Sequence, residues 1–494
     1  MTRLRGPLAD SYLGAVALVV FALTPYLMLS TAMQPLTTIV GANLGMSEQS
    51  LELTNGMANA AYAVGTVAAV QLAVHLPARR LLLVYVSLFV IGSVLAAAAS
   101  APAVFIAGRV LQGLCTSLML IAAVPPLVTG WEVSKMPWTA ATMNMCIFGA
   151  TAVGPVVGGI QAGAGGWRAL FWVIVALAVL ALAFALLTYE DKPPQDRSSP
   201  WDWVAQGLAG AGCAATFFGA SELTSHSFSD AIVLVPLFAG LALITALVVY
   251  EHQIEHPLMP IRALTSTLPV MGIVIAVSAA AASVGLVLLT QTALESSVGP
   301  THAGLLFLPE FGAAVVTAAL FGALVRTRLI PVLALAGLLT LCGAAAVLSG
   351  VTSGGDAVVL VGSGLVGLGV GASVSPALFI AGFSLRSAQI QRVFALIELL
   401  RAVAAFVIAP ILLHVAATAT SSQSSGIQLS IWICLGIAAL GASVGAYVFG
   451  IGRARLERPR LEPWLEGEEP ALESPPLAAA FRGDVHAGAV GDRG

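Results

Sequence analysis

Four ionisable residues, Arg109, Glu310, Glu398 and Arg401, stand inside long apolar stretches of this 494-residue chain. A lone charge in the middle of a membrane helix costs several kcal/mol unless it is paired or hydrated, so groups placed there are candidates for function. Glu310 follows Pro309 in FLPEFG, about one turn outward of the centre of its stretch, where the proline can open a backbone carbonyl toward a cavity. A carboxyl in that setting suits a group that binds and releases a proton in each cycle. The plainer reading is a structural ion pair or a hydrogen bond to a neighbouring helix. Glu398 and Arg401 are three apart, hence on one helical face, and burying them together costs less than burying either alone. A structural pair is the first expectation for them, gating or coupling the second. Arg109 stands near Gln112 in the outer half of its stretch, and no carboxylate in the first half of the chain shares its depth.

Other polar residues carry weaker signals. Thr31, Gln34, Asn55, Asn59, Tyr62, Gln112 and Asn144 can line a cavity, although interhelical hydrogen bonds are the commoner use of such side chains. His75, His302 and His414 fall near the ends of apolar stretches and read as structural. The glycine-dense GSGLVGLGVGAS, 362–373, lies in an apolar stretch and lacks the Lys of a phosphate loop, so it reads as close helix packing. No catalytic triad, metal cluster or ATP motif is evident. Neither an enzyme nor a cofactor or metal is expected, and energy for work must come from an ion gradient or from the solute's own gradient.

The elements that must position these groups follow from composition. The chain is 58% hydrophobic and 9% charged, against roughly 25% charged in soluble domains. It reads as an all-α polytopic membrane protein, with no nucleic-acid footprint in its net charge of -3. A bilayer core of about 30 Å needs roughly 20 apolar residues per helix. On that ruler there are fourteen spans: 12–40, 51–75, 81–100, 102–129, 137–162 and 167–189; 201–222 and 230–250; then 266–294, 300–325, 329–350, 355–382, 389–416 and 426–451. The divisions are a six-helix bundle over 1–190, a linker with two extra helices over 191–265, and a second six-helix bundle over 266–452. A tail over 453–494, rich in Pro, Glu and Arg, is expected to be disordered.

Charge placement tests that count. Arg3, Arg5, Arg79, Arg80, Lys135, Lys192, Arg197, Arg262, Arg326, Arg328, Arg386, Arg392 and the arginines of 453–460 all fall on one side, whereas the opposite loops carry only Arg168. The positive-inside rule then puts both termini in the cytoplasm and makes the number of spans even. Arg3 and Arg5 ahead of an apolar run, with Ser30, Thr31 and Ala32 loosely like a cleavage site, could pass for a signal peptide; with so many spans following, an uncleaved first helix is expected. Five cysteines lie in five different apolar stretches, which disfavours a disulfide framework or a zinc site.

Within the fifth span, 149–159 reads GATAVGPVVGG. Gly149, Gly154, Pro155, Gly158 and Gly159 suit a packing hinge, because small residues let two membrane helices approach closely. The spacing resembles the antiporter motif in the fifth helix of drug exporters of the major facilitator superfamily. Four further pieces look like the fourteen-helix drug:proton antiporter branch: GRVLQGL with Arg109, Gln112 and Gly113; GWRALF with Trp167, Arg168 and Phe171; WDWVAQG from Trp201; and HPLMPIRAL from His256. Departures are also plain. Between helices two and three, His75 occupies the family's Asp position and Gln71 its first Gly, while Arg79 and Arg80 are kept, and no acidic residue falls between Asp10 and Glu48 to match the usual first-helix Asp.

The resemblance implies a major facilitator fold of two six-helix bundles plus two central extra transmembrane helices, a family role of Arg109 at the substrate cavity, and proton antiport. Glu310 is the expected proton carrier, with Arg109, Glu398 and Arg401 as coupling candidates. The expected protein is a monomeric inner-membrane exporter, its partners being protons, membrane lipids and a small amphiphilic substrate. Composition hints at a GC-rich bacterial genome. Rival readings are an exporter of lipid-like metabolites without conventional proton coupling, favoured by the missing first-helix acid, and a membrane scaffold or sensor without turnover.

Overall fold

Long apolar stretches fold as helices here because no water is available to satisfy a bare backbone in lipid. The computed structural model describes residues 5–188, 190, 200–255, 257–295, 297–420 and 422–477. Arg3, Lys192, Arg197 and His256 lie outside the described residues. The first group of helices is α1 Tyr12–Ala32, α2 Thr37–Leu44, α3 Glu48–His75, α4 Ala78–Ala98, α5 Pro102–Thr129, α6 Met136–Asn144, α7 Ala150–Gly163 and α8 Arg168–Thr188. A central pair follows, α9 Trp203–Ser221 and α10 Ala231–Gln253. The last group is α11 Thr267–Glu295, α12 Pro300–Leu305, α13 Leu308–Leu324, α14 Ile330–Leu348, α15 Gly355–Phe383, α16 Ile390–Thr418, α17 Gln423–Ile451 and the short α18 Leu461–Leu465. Among the described residues the only β pairings are two isolated bridges, Arg5 with Glu190 and Ser266 with Pro476.

Local sequence sets the helix starts. The hydroxyls of Ser11, Ser47 and Ser422 and the carboxylate of Asp202 accept backbone N–H groups in the first turns of α1, α3, α17 and α9. Proline opens α5 and α12, where its missing N–H costs nothing. Between α6 and α7 the chain makes one π-helical turn, Met145–Gly149, so the two helices continue as one bent span.

Thirteen described helical stretches are long and apolar enough to cross a membrane, counting α6 with α7 and α12 with α13 as single spans. The 19-residue α9, over the expected span 201–222, is not among them. It packs antiparallel on α10 through Gly212 and Gly219, and also touches α3 and α16.

In the first group α5 packs on α3 and α4, and α1 on α7 and α8; in the last, α11 packs on α15, α16 and α17, and α14 on α15 and α17. The two groups meet where α6 lies on α13, α7 on α12 and α3 on α16. The first and last described residues, Arg5 and Leu477, lie at one end, here the near end. Leu8 N–H donates to Leu187 O at 2.8 Å, and the tail binds the α15–α16 turn. Disorder from Arg453 onward does not hold for 453–477. Trp464 is fully buried and Leu472 N–H donates to Phe383 O at 2.9 Å, because these apolar residues find a socket that the average composition of the segment hides.

Candidate functional site

A cavity of about 190 Å³ lies between the two groups of helices. Its walls come from the far halves of α1, α3, α11 and α16, with Ile147 and Phe148 of the π turn, Arg109 of α5, Glu310 of α13 and Val370 of α15. Thr31, Gln34, Asn59 and Tyr62 line it, as do Arg109, Glu310 and Arg401. Gln112 and Asn144, expected at a cavity, do not. Gln112 faces α4, accepting from Arg109 Nη1 at 3.0 Å and donating to Ser93 Oγ at 3.1 Å. Asn144 faces α15, where its Oδ1 accepts from Ser375 Oγ at 3.0 Å. Both are buried between helices, although Asn144 Nδ2 has no hydrogen-bond partner among the described residues.

Sequence reading missed Tyr26 and Glu52 as wall residues. Tyr26 follows Pro25 on α1; its ring stacks on Tyr62 with centroids 6.2 Å apart, and its hydroxyl donates to Asn59 Oδ1 at 3.3 Å. Glu52 stands one turn after Glu48 at the start of α3, so it reads as an interfacial charge; depth along α3, not spacing, brings it to the cavity.

The four intramembrane charges fall into two kinds. Glu398 and Arg401 form an ion pair: Arg401 Nε donates to both carboxylate oxygens at 3.2 Å and Nη2 to Oε2. Tyr62, from the opposite helix group, donates to Glu398 Oε2 at 3.1 Å, so the pair also ties α3 to α16. Arg109 and Glu310 are less satisfied. The Arg109 guanidinium lies 5.3 Å from the Tyr26 ring centroid, a cation–π placement, and its Nε has no hydrogen-bond partner among the described residues. Glu310 is buried, and its Oε2 likewise has none. Among the described residues Arg109 and Glu310 form no ion pair with each other.

The glycine stretch acts as a dovetail. A Cβ on Gly154 would stand 1.9 Å from Thr31 Oγ1 and 2.5 Å from Met28 O, and one on Gly158 2.4 Å from Ala32 O, all on α1 or its end. On the other side a Cβ on Gly159 would meet Pro300 O at 2.4 Å, and Gly304 of α12 packs on the Pro155 carbonyl. Thr31 Oγ1 completes the seam by donating to Thr151 O at 2.7 Å. Gly149 differs: a Cβ there would touch only the flexible Met145 side chain of its own turn.

At the near end, His75 closes α3 with its ring stacked on Trp201 at 4.5 Å and Nδ1 2.8 Å from Gln71 O. Gln71 Oε1 accepts the Asp202 N–H at 3.1 Å. The two residues standing where the resembling family has Asp and Gly therefore anchor the start of α9. Arg79 and Arg80 begin α4 beside them, Arg80 exposed.

Comparison with known proteins places this geometry. The model of the Major Facilitator Superfamily matches residues 15–410. The chain is 29% identical over 311 residues to the multidrug resistance protein Stp of Mycobacterium tuberculosis, covering 61% of this chain and 57% of that one. It is 25% identical over 272 residues to the tetracenomycin C resistance and export protein of Streptomyces glaucescens, covering 55% and 50%. The match thus spans about half the length of these relatives. Among solved structures, the human organic anion transporter TETRAN superposes with a TM-score of 0.60 at 14% identity, over 88% of this chain and 99% of that one. A POT family transporter gives 0.63 at 15% identity, over 88% and 96%.

Proposed function

The chain belongs to the Major Facilitator Superfamily, and from that premise we propose that it exports hydrophobic or amphiphilic small molecules across a bacterial inner membrane by alternating access, in exchange for protons. It works as a monomer of the fourteen-helix drug:proton antiporter branch, with α9 crossing beside α10 as the fourteenth span and both termini in the cytoplasm, so that the cavity lies in the outer half of the bilayer. One observation carries the reading: a single cavity has walls from both helix groups and a buried carboxyl, Glu310, with an unpartnered oxygen. A group of that kind can change protonation without breaking a packed ion pair, whereas Glu398 cannot. Arg109, held on the Tyr26 ring, sets the charge of the same wall. The relatives named for multidrug resistance and for tetracenomycin C export support the direction and the solute class.

The test uses purified protein in liposomes with an internal pH dye and an imposed proton gradient, offered hydrophobic cations, neutral amphiphiles and lipid analogues. Solute-dependent proton release through the wild type but not through Glu310→Gln is the expected result. Solute movement without proton flux removes antiport and makes Glu310 structural. No movement across the panel removes transport and leaves a scaffold.

A further inference from the structure

The near end carries a folded segment that the cavity does not use. Residues 460–476 close on themselves through Arg460 N–H to Ala471 O at 2.8 Å and through ion pairs of Arg460 with Glu473 and Glu469. The segment is fixed to the second helix group at three places. Trp464 is fully buried with its ring 5.0 Å from Phe383, edge to face, and its Nε1 donates to Leu385 O at 2.8 Å. Leu472 N–H donates to Phe383 O, and Pro475 O accepts the Thr267 N–H at 3.0 Å, with Ser474 Oγ accepting the Leu268 N–H at 2.9 Å. On its other side α18 packs beside Val133–Lys135, the turn of the first helix group that leads into α6.

That placement is asymmetric in a useful way. The segment is bolted to one helix group by hydrogen bonds and a buried indole, whereas among the described residues it lies beside the other with no hydrogen bond or ion pair. Just beyond Val133–Lys135 the two groups are themselves shut, since a Cβ on Gly322 of α13 would stand 2.7 Å from Pro137 O of α6. The cavity, by contrast, takes its walls from the far halves of its helices. A cavity that is to open at the near end must part α6 from α13, and α18 must then leave Val133–Lys135.

We infer that residues 460–476 are a latch: seated by Trp464 on the second helix group, they hold the near end closed, and their release from Val133–Lys135 is a step in opening it. The inference rests on the alternating-access reading, but its readout is a distance between helix groups and not transport. Spin labels at Arg80→Cys and Arg328→Cys, both exposed near-end sites on different groups, are placed in a Cys342→Ala background and measured by pulsed electron resonance in nanodiscs at low and high pH. The chain ending at Gly452 and, separately, Trp464→Ala are compared with the intact chain, each checked for monodispersity. The expected result is one dominant short distance in the intact chain and a several-fold larger long-distance population in both variants. A second protein that also carries Ser134→Cys and Glu462→Cys, oxidised so that these two close a disulfide before the thiols at 80 and 328 take the spin label, is expected to lose the long distance. If the intact chain shows both distances and neither variant changes their ratio, the latch is wrong while alternating access stands. If every protein holds the short distance under both conditions, the latch and alternating access fall together.

Discussion

The two helix groups meet along two seams of opposite character. On one, α7 lies against α12 with backbone on backbone, where a Cβ on Gly159 would stand 2.4 Å from Pro300 O, while Gly154 and Gly158 hold α7 equally close to α1 within its own group. On the other, α3 meets α16 through Tyr62, Glu398 and Arg401, next to a cavity. In lipid there is little hydrophobic drive between helices, so a seam holds either by close van der Waals approach or by polar contacts. The glycine seam uses the first means and tolerates no change of shape. The polar seam uses the second, and beside it Glu310 keeps an oxygen unpartnered. Two carboxyls of the same helix group thus differ in kind: Glu398 is spent on cohesion and Glu310 is available.

The strongest way to break this contrast is to remove the anchor of the polar seam. Glu398→Ala leaves Arg401 buried without its counter-charge and Tyr62 without an acceptor, and is expected to cost about 3–5 kcal/mol. Thermal unfolding of the purified protein reads this directly, and a loss near zero would mean that the pair contributes nothing to cohesion. Next, Gly159→Val overpacks the glycine seam against Pro300 O and Gly304 of α12 at a cost of about 3 kcal/mol. Gly207→Ala on α9, where a Cβ meets nothing within 4 Å, serves as its control and leaves the unfolding temperature unchanged or slightly raised.

Smaller effects sharpen the comparison. Tyr62→Phe removes one hydrogen bond to a charged acceptor, about 1.5 kcal/mol, and in a double-mutant cycle with Glu398→Gln most of that coupling disappears. Additive losses in that cycle would place the Tyr62 contribution elsewhere. Smallest of all, Glu310→Gln is expected to shift stability by less than Tyr62→Phe does, since the change keeps the side chain's shape and breaks no ion pair among the described residues. A drop as large as that of Glu398→Ala would show that Glu310 is a structural partner after all.

Much of the architecture was readable because lipid imposes a single ruler on helix length. The three-residue spacing of Glu398 and Arg401 puts both on one face of α16, where they pair. Residues whose role depends on rotation or depth were not readable. Gln112 turns to Ser93 of α4, a contact 19 residues away that no local pattern encodes. Asn144 precedes the π turn, and helical periodicity carried through 136–163 cannot register the extra residue there. Glu52 looks like a charge favouring a helix N-terminus, and only its depth along α3 in the packed bundle brings it to the cavity. In the tail, averaging over Pro, Glu and Arg conceals Trp464 and Leu472, two apolar residues whose burial decides the fold of the whole segment.

The π turn at Met145–Gly149 also puts the fifth span out of phase with itself. An added residue in one turn works like a vernier, advancing the faces beyond it by about a quarter of a revolution relative to those before it. Below the turn Pro137 and Ala141 meet α13; above it Gly154 and Gly158 meet α1 while Gly159 meets α12. One continuous rod is thereby keyed to α13, α1 and α12, with the faces before and after the turn offset from each other.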